Sequence, residues 1–171
     1  MQASTTPVVK ELVLLGGGHA HVSVLKRFGM KPVPGLRITL ITRDIHTPYS
    51  GMLPGFVAGH YSYDECHIDL GPLARFAGAR LYHDEVQKLD TNEHRIYLGN
   101  RPPVAYDILS INTGSTPSIN NVFGVMGNAL IAKPIDIFIE KWQELQTRVL
   151  SHKGIFNVVV VGAGAGGVEL L

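Results

Sequence analysis

The chain has 171 residues, of which 45% are hydrophobic and 17% charged, with a formal net charge of +1. This length suits one domain, or one domain plus a fragment, and the composition is too apolar for a disordered chain. The dispersed basic residues argue against a nucleic-acid-binding surface. The single cysteine, Cys66, excludes both an internal disulfide and a redox-active cysteine pair.

The first predicted unit is a strand, a tight turn, a helix and a second strand. A short apolar run at 11–15 (ELVLL) meets three glycines at 16–18, and apolar residues then recur at helical spacing. Two prolines and a glycine in 31–35 (KPVPG) end that helix in a turn. The β-branched run at 36–42 (LRITLIT) predicts the second strand, so a complete β-α-β unit is expected by residue 42.

The rest of the chain predicts a longer series of elements. Residues 43–80 are rich in proline and glycine and are expected to form a long irregular segment, a feature that is usually functional. The other predictions, in order, are a short helix at 70–77, strands at 80–89 and 94–98 around a turn at 90–92, a strand at 106–112, a helix at 135–150 and a strand at 156–161.

A second glycine turn follows the last predicted strand. Gly162, Gly164 and Gly167 form a G-x-G-x-x-G pattern directly after NVVVV. Such a pattern is typical of dinucleotide binding, since the glycines allow a tight turn, approach of a phosphate and close packing of helix on strand. The alternative is a glycine-rich loop with a packing role only.

The first glycine turn is less regular. Gly16 and Gly18 fill the first two roles, but His21 stands at the third, where it must either hold the helix away from the strand or fit into a pocket. The acid expected after the second strand is displaced, so Thr42 or Asp44 must address the ribose hydroxyl. The alternative is a tight turn without a ligand. Two such turns in one chain nevertheless indicate a relay in which NAD(P)H reduces a flavin.

A family resemblance rests on residues 106–115 (YDILSINTGS). This segment resembles the second flavin motif of the pyridine nucleotide-disulfide oxidoreductase-like flavoproteins, and the order of glycine turn, Thr-Gly motif and second glycine turn is similar over residues 11–171. Residues 12–28 (LVLLGGGHAHVSVLKRF) and 46–61 (HTPYSGMLPGFVAGHY) look most like the type II NADH dehydrogenase branch. Within that branch they look similar to the module fused to selenide, water dikinase in some organisms.

The resemblance implies the fold and the domains. It implies an α/β, Rossmann-like FAD/NAD(P)-binding fold with a mainly parallel sheet and a small antiparallel β element around 80–98. Residues 1–154 would be the FAD-binding domain, and 155–171 the truncated start of an NAD(P)H-binding domain with no room for its helix.

The resemblance also implies the cofactor-binding residues. For FAD they are Gly16, Gly18 and Ala20 at the pyrophosphate, Thr42 and Arg43 at the adenosine ribose, Val86 at the adenine, Thr113 and Gly114 at the phosphate or ribityl arm, and Pro48 and Tyr49 near the isoalloxazine ring. His19 either donates to a phosphate or faces solvent. For NAD(P)H they are Gly162, Gly164, Gly167 and Glu169.

The implied activity is an FAD-dependent oxidoreductase that passes a hydride from NAD(P)H to the flavin and on to a quinone or another small-molecule acceptor. No residue is identified as a general acid or base. Because a cysteine pair is absent, the disulfide reductases are excluded, and the lone cysteine argues against the sulfide:quinone reductases. The chain is expected to be incomplete for activity, and the full-length protein is a candidate homodimer. The alternative is a truncated, non-catalytic dinucleotide-binding or interaction domain.

Other features have simpler interpretations. The run Asp64-Glu65-Cys66-His67 contains metal-capable side chains, but adjacent ligands rarely converge on one ion, so no metal site is expected. Cys66 is expected to be a buried small hydrophobe. Trp142 is expected to pack on an amphipathic helix. No secretory signal is visible and no apolar run reaches the roughly 20 residues that span a bilayer, so a soluble, cytoplasmic chain is expected.

Overall fold

The structure is a computed structural model that describes residues 7–117, 123–125 and 127–171. The chain divides into two compact units. Unit 1 comprises Met1–Thr47 and Ile68–Gly114, and unit 2 comprises Pro48–His67 and Ser115–Leu171. The predicted domain boundary between residues 154 and 155 stays a prediction.

The described residues form strands and helices in the following order. The strands are β1 (Lys10–Leu15), β2 (Leu36–Thr42), β3 (His46–Pro48), β4 (His67–Asp69), β5 (Arg80–His83), β6 (Val86–Asp90), β7 (Arg95–Leu98), β8 (Val104–Ala105) and β9 (Ile108–Ile111). The helices are α1 (His19–Met30), α2 (Leu53–Val57), α3 (Tyr63–Cys66), α4 (Leu70–Phe76), α5 (Ile135–Ser151) and α6 (Ala165–Glu169), with one 3₁₀ turn at Ser50–Met52.

Unit 1 is built on a four-stranded parallel sheet in the order β5-β2-β1-β9. Its central strands are apolar without alternation because both faces are covered, as is usual in parallel sheets. On one face, Leu14 and Leu40 pack with Leu25 of α1 and Leu70 of α4. On the other face, the cluster around Val13 includes residues of an antiparallel sheet in the order β6-β7-β8. This architecture confirms the predicted fold class.

The predicted strand at 80–89 is wrong as a single element, because it breaks at Asp84. Residues before the break form β5 in the parallel sheet, and residues after it begin β6 of the antiparallel sheet. The cause is the almost fully buried Asp84 carboxylate, which accepts hydrogen bonds from the backbone N–H groups of Glu85 (2.8 Å) and Asn100 (3.2 Å). Burial disfavours its charge, but these bonds and the nearby Arg101 outweigh it and keep the pKa of Asp84 below its ordinary value.

A second buried carboxylate ties three strands of the parallel sheet together. Glu11 of β1 is 5% exposed. It accepts hydrogen bonds from Thr39 Oγ1 at 2.5 Å, from Arg80 Nη2 at 2.9 Å and from Nε of Arg37. Because these donors belong to β2 and β5, the carboxylate fixes the lateral order of the strands at that point.

Unit 2 contains α5, which confirms the helix predicted at 135–150. Phe138 and Ile139 of this helix are buried against Leu53 of α2. Trp142 stacks on Phe138 with ring centroids 6.2 Å apart, so it has the packing role expected from the sequence. The segment predicted as irregular also contains short elements, since β3, α2, α3, β4 and α4 lie within it.

The predicted strand at 156–161 is wrong, since no strand is formed there. A strand requires a neighbouring strand to complete its hydrogen bonds, and none of the described strands pairs with this segment. Val159 is 79% and Val161 93% exposed as a result. The expectation that no helix follows the second glycine turn is also wrong, because the short helix α6 begins after Gly164.

Candidate functional site

The parallel strands β1, β2 and β9 end side by side at one edge of the sheet in unit 1. We call this region the carboxyl edge and define it as residues 16–18, 42–44 and 112–114. The chain runs from β1 through α1 to β2 on one side, whereas β9 lies on the other side of β1. In open parallel sheets, ligands bind outside the carboxyl ends of the strands where the order reverses in this way.

The first glycine turn has a conformation that only glycine tolerates. Gly16 has a φ of +93°, and a Cβ on it would lie 2.3 Å from the carbonyl oxygen of Asn112. Its own N–H donates to the carbonyl of Ile41 at 2.8 Å. A side chain at this position would break the contact between β1 and β9, so the turn depends on glycine.

Gly18 lies at the start of α1 and packs directly on Asn112. Its N–H donates to the Asn112 carbonyl at 3.2 Å, and the Asn112 N–H donates to the Leu15 carbonyl at 2.8 Å. A Cβ on Gly18 would lie 2.5 Å from Nδ2 of Asn112. The space that the missing Cβ leaves therefore holds the carboxamide of Asn112, a residue that the sequence analysis did not single out.

His21, at the third position of the first glycine turn, fits into a pocket. It is 1% exposed. Its Nδ1 lies 2.6 Å from the Gly16 carbonyl, and its Nε2 lies 2.9 Å from Oγ of Ser110. Since a carbonyl only accepts, Nδ1 carries a hydrogen, and in the neutral ring Nε2 accepts from the serine hydroxyl. The imidazole thus connects the glycine turn to β9.

The two candidates for the ribose contact differ in their surroundings. The hydroxyl of Thr42 is nearly buried and donates to the backbone carbonyl of Asp44 at 2.8 Å. The Asp44 carboxylate is half-exposed and pairs with Arg43 at 2.9 Å. The proton of the Thr42 hydroxyl is therefore already used within the turn, whereas the Asp44 carboxylate reaches solvent.

The other residues expected at the flavin lie in both units. Ala20 is exposed and His19 half-buried in the first turn of α1, and Thr113 and Gly114 are exposed after β9. Val86 begins β6 and packs against the core of unit 1. In unit 2, Pro48 ends β3, and the half-exposed Tyr49 donates its N–H to the carbonyl of Cys66 at 2.8 Å. Within unit 1, the structure brings Gly16, Gly18, Thr42, Arg43, Thr113 and Gly114 together at the carboxyl edge.

The second glycine turn, in unit 2, requires glycine at two of its three positions, Gly162 and Gly167. Gly162 has a φ of +116°, and a Cβ on Gly167 would lie 2.1 Å from the Gly162 carbonyl oxygen. Gly164 is the N-cap of α6, and Glu169 is the last residue of that helix. The close approach of the helix to the turn is the third role of a dinucleotide fingerprint.

The cluster around Cys66 has structural partners. Glu65 forms a capping box with Ser62, and Nδ1 of His67 lies 2.6 Å from the Tyr63 carbonyl. Burial, followed by the nearby Glu65 carboxylate, raises the pKa of the Cys66 thiol. Across the described ranges, no group of three histidine, cysteine or acidic side chains is arranged to hold a metal ion.

The carboxyl edge fits a dinucleotide pyrophosphate. The first turn of α1 presents backbone N–H groups, whose partial positive charge favours an anion. That first turn contains no acidic residue. In addition, Nδ2 of Asn112 is buried without a hydrogen-bond partner in the described part of the chain. Donors without acceptors next to a glycine turn are what a phosphate ligand requires.

None of the helices in the described part of the chain is both long and apolar enough to cross a bilayer.

Comparisons with known proteins agree with this geometry. Residues 10–170 match the family described as pyridine nucleotide-disulphide oxidoreductase. The chain is 24% identical over 182 residues to the mitochondrial external NADH-ubiquinone oxidoreductase 2 of Saccharomyces cerevisiae, covering 94% of this chain and 32% of that protein. Its fold is similar to the water-forming NADH oxidase of Lactobacillus brevis bound to NADH (TM-score 0.72, 19% identity, 94% of this chain and 36% of that one). It is also similar to NDH2 of Plasmodium falciparum in complex with NADH (TM-score 0.69, 20% identity, 85% of this chain and 31% of that one). The chain thus spans about a third of the length of each of these proteins.

Proposed function

Because the chain belongs to the family of pyridine nucleotide-disulphide oxidoreductases, we propose that it carries the flavin-binding part of an FAD-dependent NAD(P)H oxidoreductase. Family membership confirms the resemblance drawn from the sequence, and the yeast and Plasmodium proteins support the NADH dehydrogenase-like branch. The observation that carries the proposal is the carboxyl edge of unit 1, where a glycine turn that excludes side chains meets the Thr-Gly end of β9.

In this proposal the carboxyl edge holds the nucleotide part of FAD. The pyrophosphate lies at the first turn of α1, beside Gly16, Gly18, His19 and Ala20, where helix N–H groups and the helix dipole stabilise its charge. The half-exposed Asp44 carboxylate at the end of β2 accepts from the adenosine ribose, with Arg43 and the acceptor oxygen of Thr42 beside it. Val86 contacts the adenine through its backbone. Bound flavin supplies hydride-accepting chemistry.

The flavin ring and the second nucleotide are assigned to other segments. Thr113 and Gly114 contact the ribityl arm or phosphate, and Pro48 and Tyr49 approach the isoalloxazine ring. NAD(P)H binds at the second turn through Gly162, Gly164 and Gly167, with Glu169 nearby. These assignments are supported by the glycine geometry of both turns and by the family. In this proposal the residues act by binding and orienting the two nucleotides.

The electron acceptor is proposed to be a quinone or another small molecule. Two observations support this. The yeast relative is named as an NADH-ubiquinone oxidoreductase, and this chain has only one cysteine, which is buried. Reduction of the acceptor by the flavin directly requires no cysteine pair. A cytoplasmic location and a homodimeric full-length protein stay predictions.

The absorbance spectrum of the purified chain tests the proposal. We expect bound FAD in the wild type and its loss in Gly16→Val, because a side chain there collides with the Asn112 carbonyl. Gly59→Val is the matched control, since Gly59 has a similar φ of +79° but open space around its Cβ position. A chain with a native circular dichroism spectrum and no flavin would support the alternative, a non-catalytic dinucleotide-binding or interaction domain.

Reduction by NADH is a second, separate test. Because the chain spans about a third of the length of the yeast and Plasmodium proteins, the test compares it with a longer polypeptide that contains this sequence, and NADH is expected to bleach the flavin where both nucleotides bind. A longer polypeptide that binds FAD but is never reduced by NADH or NADPH would contradict the proposed oxidoreductase activity and leave FAD binding intact.

A further inference from the structure

Asn112 occupies the position where β9 meets the first glycine turn. Its backbone is held on both sides, because its N–H donates to Leu15 and its carbonyl accepts from Gly18. These two hydrogen bonds fix the residue against the end of β1 and the start of α1. The location of its side chain is therefore set by the fold and not by its own polar contacts.

Among the described residues, no hydrogen-bond partner explains why residue 112 carries a polar carboxamide. Its Nδ2 is buried and has no hydrogen-bond acceptor within the described residues. A buried donor without an acceptor destabilises a fold, and an apolar side chain would fill the same space without that cost. An amide at this point therefore requires an explanation other than packing.

The surroundings of the carboxamide favour an anion as the missing acceptor. A Cβ on Gly18 would lie 2.5–2.6 Å from the carboxamide atoms, so the amide packs on the N-cap residue of the 12-residue helix α1. The dipole of such a helix favours negative charge at this end. Among the neutral side chains, a carboxamide is one of the few that can donate two hydrogen bonds.

We infer that Asn112 is an additional cofactor-binding residue, whose Nδ2 donates a hydrogen bond to a phosphate oxygen of the FAD pyrophosphate. This inference rests on the FAD binding proposed above and adds a residue to it. The residue is half-buried, and in this inference a rotation about χ2 turns its Nδ2 towards the bound phosphate.

The test compares FAD dissociation constants of the full chain and three variants by fluorescence titration. Asn112→Ala removes the donor, and we expect affinity to fall about tenfold, since a hydrogen bond to a charged group is lost. Asn112→Asp keeps the shape but replaces the donor by a negative charge, so a larger loss of about a hundredfold is expected. Asn92→Asp, which adds the same charge in the exposed turn between β6 and β7, is expected to bind like the wild type.

A second measurement separates binding from a merely structural role. The urea midpoint of each variant is measured without cofactor by circular dichroism. If Asn112 serves the cofactor, the ligand-free Asn112→Ala variant keeps the wild-type midpoint while its FAD affinity falls. A fall in the ligand-free midpoint that accounts for the lost binding would overturn the inference.

The outcomes also distinguish this inference from the function on which it rests. If the wild type binds FAD and both Asn112 variants bind it equally well, the inference about Asn112 fails and the proposed function stands. If the folded wild type binds no FAD, the proposed function fails and the inference fails with it.

Discussion

Replacing His21 by alanine would remove the link between the glycine turn and β9. The imidazole is 1% exposed, and its two nitrogens contact the Gly16 carbonyl and the Ser110 hydroxyl at 2.6 and 2.9 Å. Each lost hydrogen bond costs about 1 kcal/mol, and the cavity left by the ring adds about 2 kcal/mol. We therefore expect the free energy of unfolding to fall by about 4 kcal/mol, a large part of the stability of a domain.

Urea unfolding followed by far-UV circular dichroism measures this loss. Trp142, the single tryptophan, belongs to unit 2, whereas His21 belongs to unit 1. Its fluorescence therefore reports on the other unit and shows whether the two units unfold together. Ser110→Ala is the matched single change and is expected to cost about 1 kcal/mol, because it removes one hydrogen bond and little volume.

The double variant tests the bridge itself. If His21 and Ser110 interact as the structure shows, the combined loss in the double variant is smaller than the sum of the single losses by about 1 kcal/mol. Strictly additive losses, or a cost of His21→Ala below about 1 kcal/mol, would refute the reasoning that the imidazole fills a pocket and connects the two elements.

Three further predictions concern unit 1 and its turns. Glu11→Gln is expected to lower the free energy of unfolding by about 2 kcal/mol, because the uncharged amide no longer pairs with the arginines that donate to the buried carboxylate. The loss stays this small because the Arg80 side chain is part-exposed and its charge is screened by solvent. An unchanged urea midpoint would contradict this prediction. Gly16→Ala is expected to lower the melting temperature more than Gly59→Ala, because both glycines have positive φ but only Gly16 lacks room for a Cβ; equal shifts would count against it. The pKa of Asp84 is lowered in the folded chain, so its contribution is complete above the ordinary value of 3.8 and is lost as the pH falls below that value through the folded-state pKa. Asp84→Asn should therefore show a shallower loss of stability on acidification in urea titrations at stepped pH, and an equally steep loss would argue against it.

Local patterns were sufficient for much of the fold. The predicted bounds of the strand at Leu36–Thr42 agree with the structure, as does the helix predicted at 135–150 to within one residue. In both cases the signal lies in consecutive residues, whose apolar spacing already selects the element. The family was likewise recognisable from the sequence, because glycine turns and the Thr-Gly motif are short local segments.

The other parts of the fold depend on contacts between residues that are far apart in the sequence. The break at Asp84 depends on Asn100, which is 16 positions away in the sequence. The valines at 158–161 have the composition of a strand, but no described strand pairs with them. A strand is completed by its neighbour, so the sequence of one segment cannot settle whether it forms.

At the carboxyl edge, too, some features follow from the local sequence and others from long-range contacts. The sequence by itself determined that a glycine turn follows β1 and that a Thr-Gly motif follows β9, since each is a motif of consecutive residues. It left open whether His21 pushes α1 outwards or fits into a pocket, and it gave Asn112 no role. Only the tertiary structure decided these points, because it places Ser110 and Asn112 against residues about 90 positions earlier, and such contacts arise from strand order.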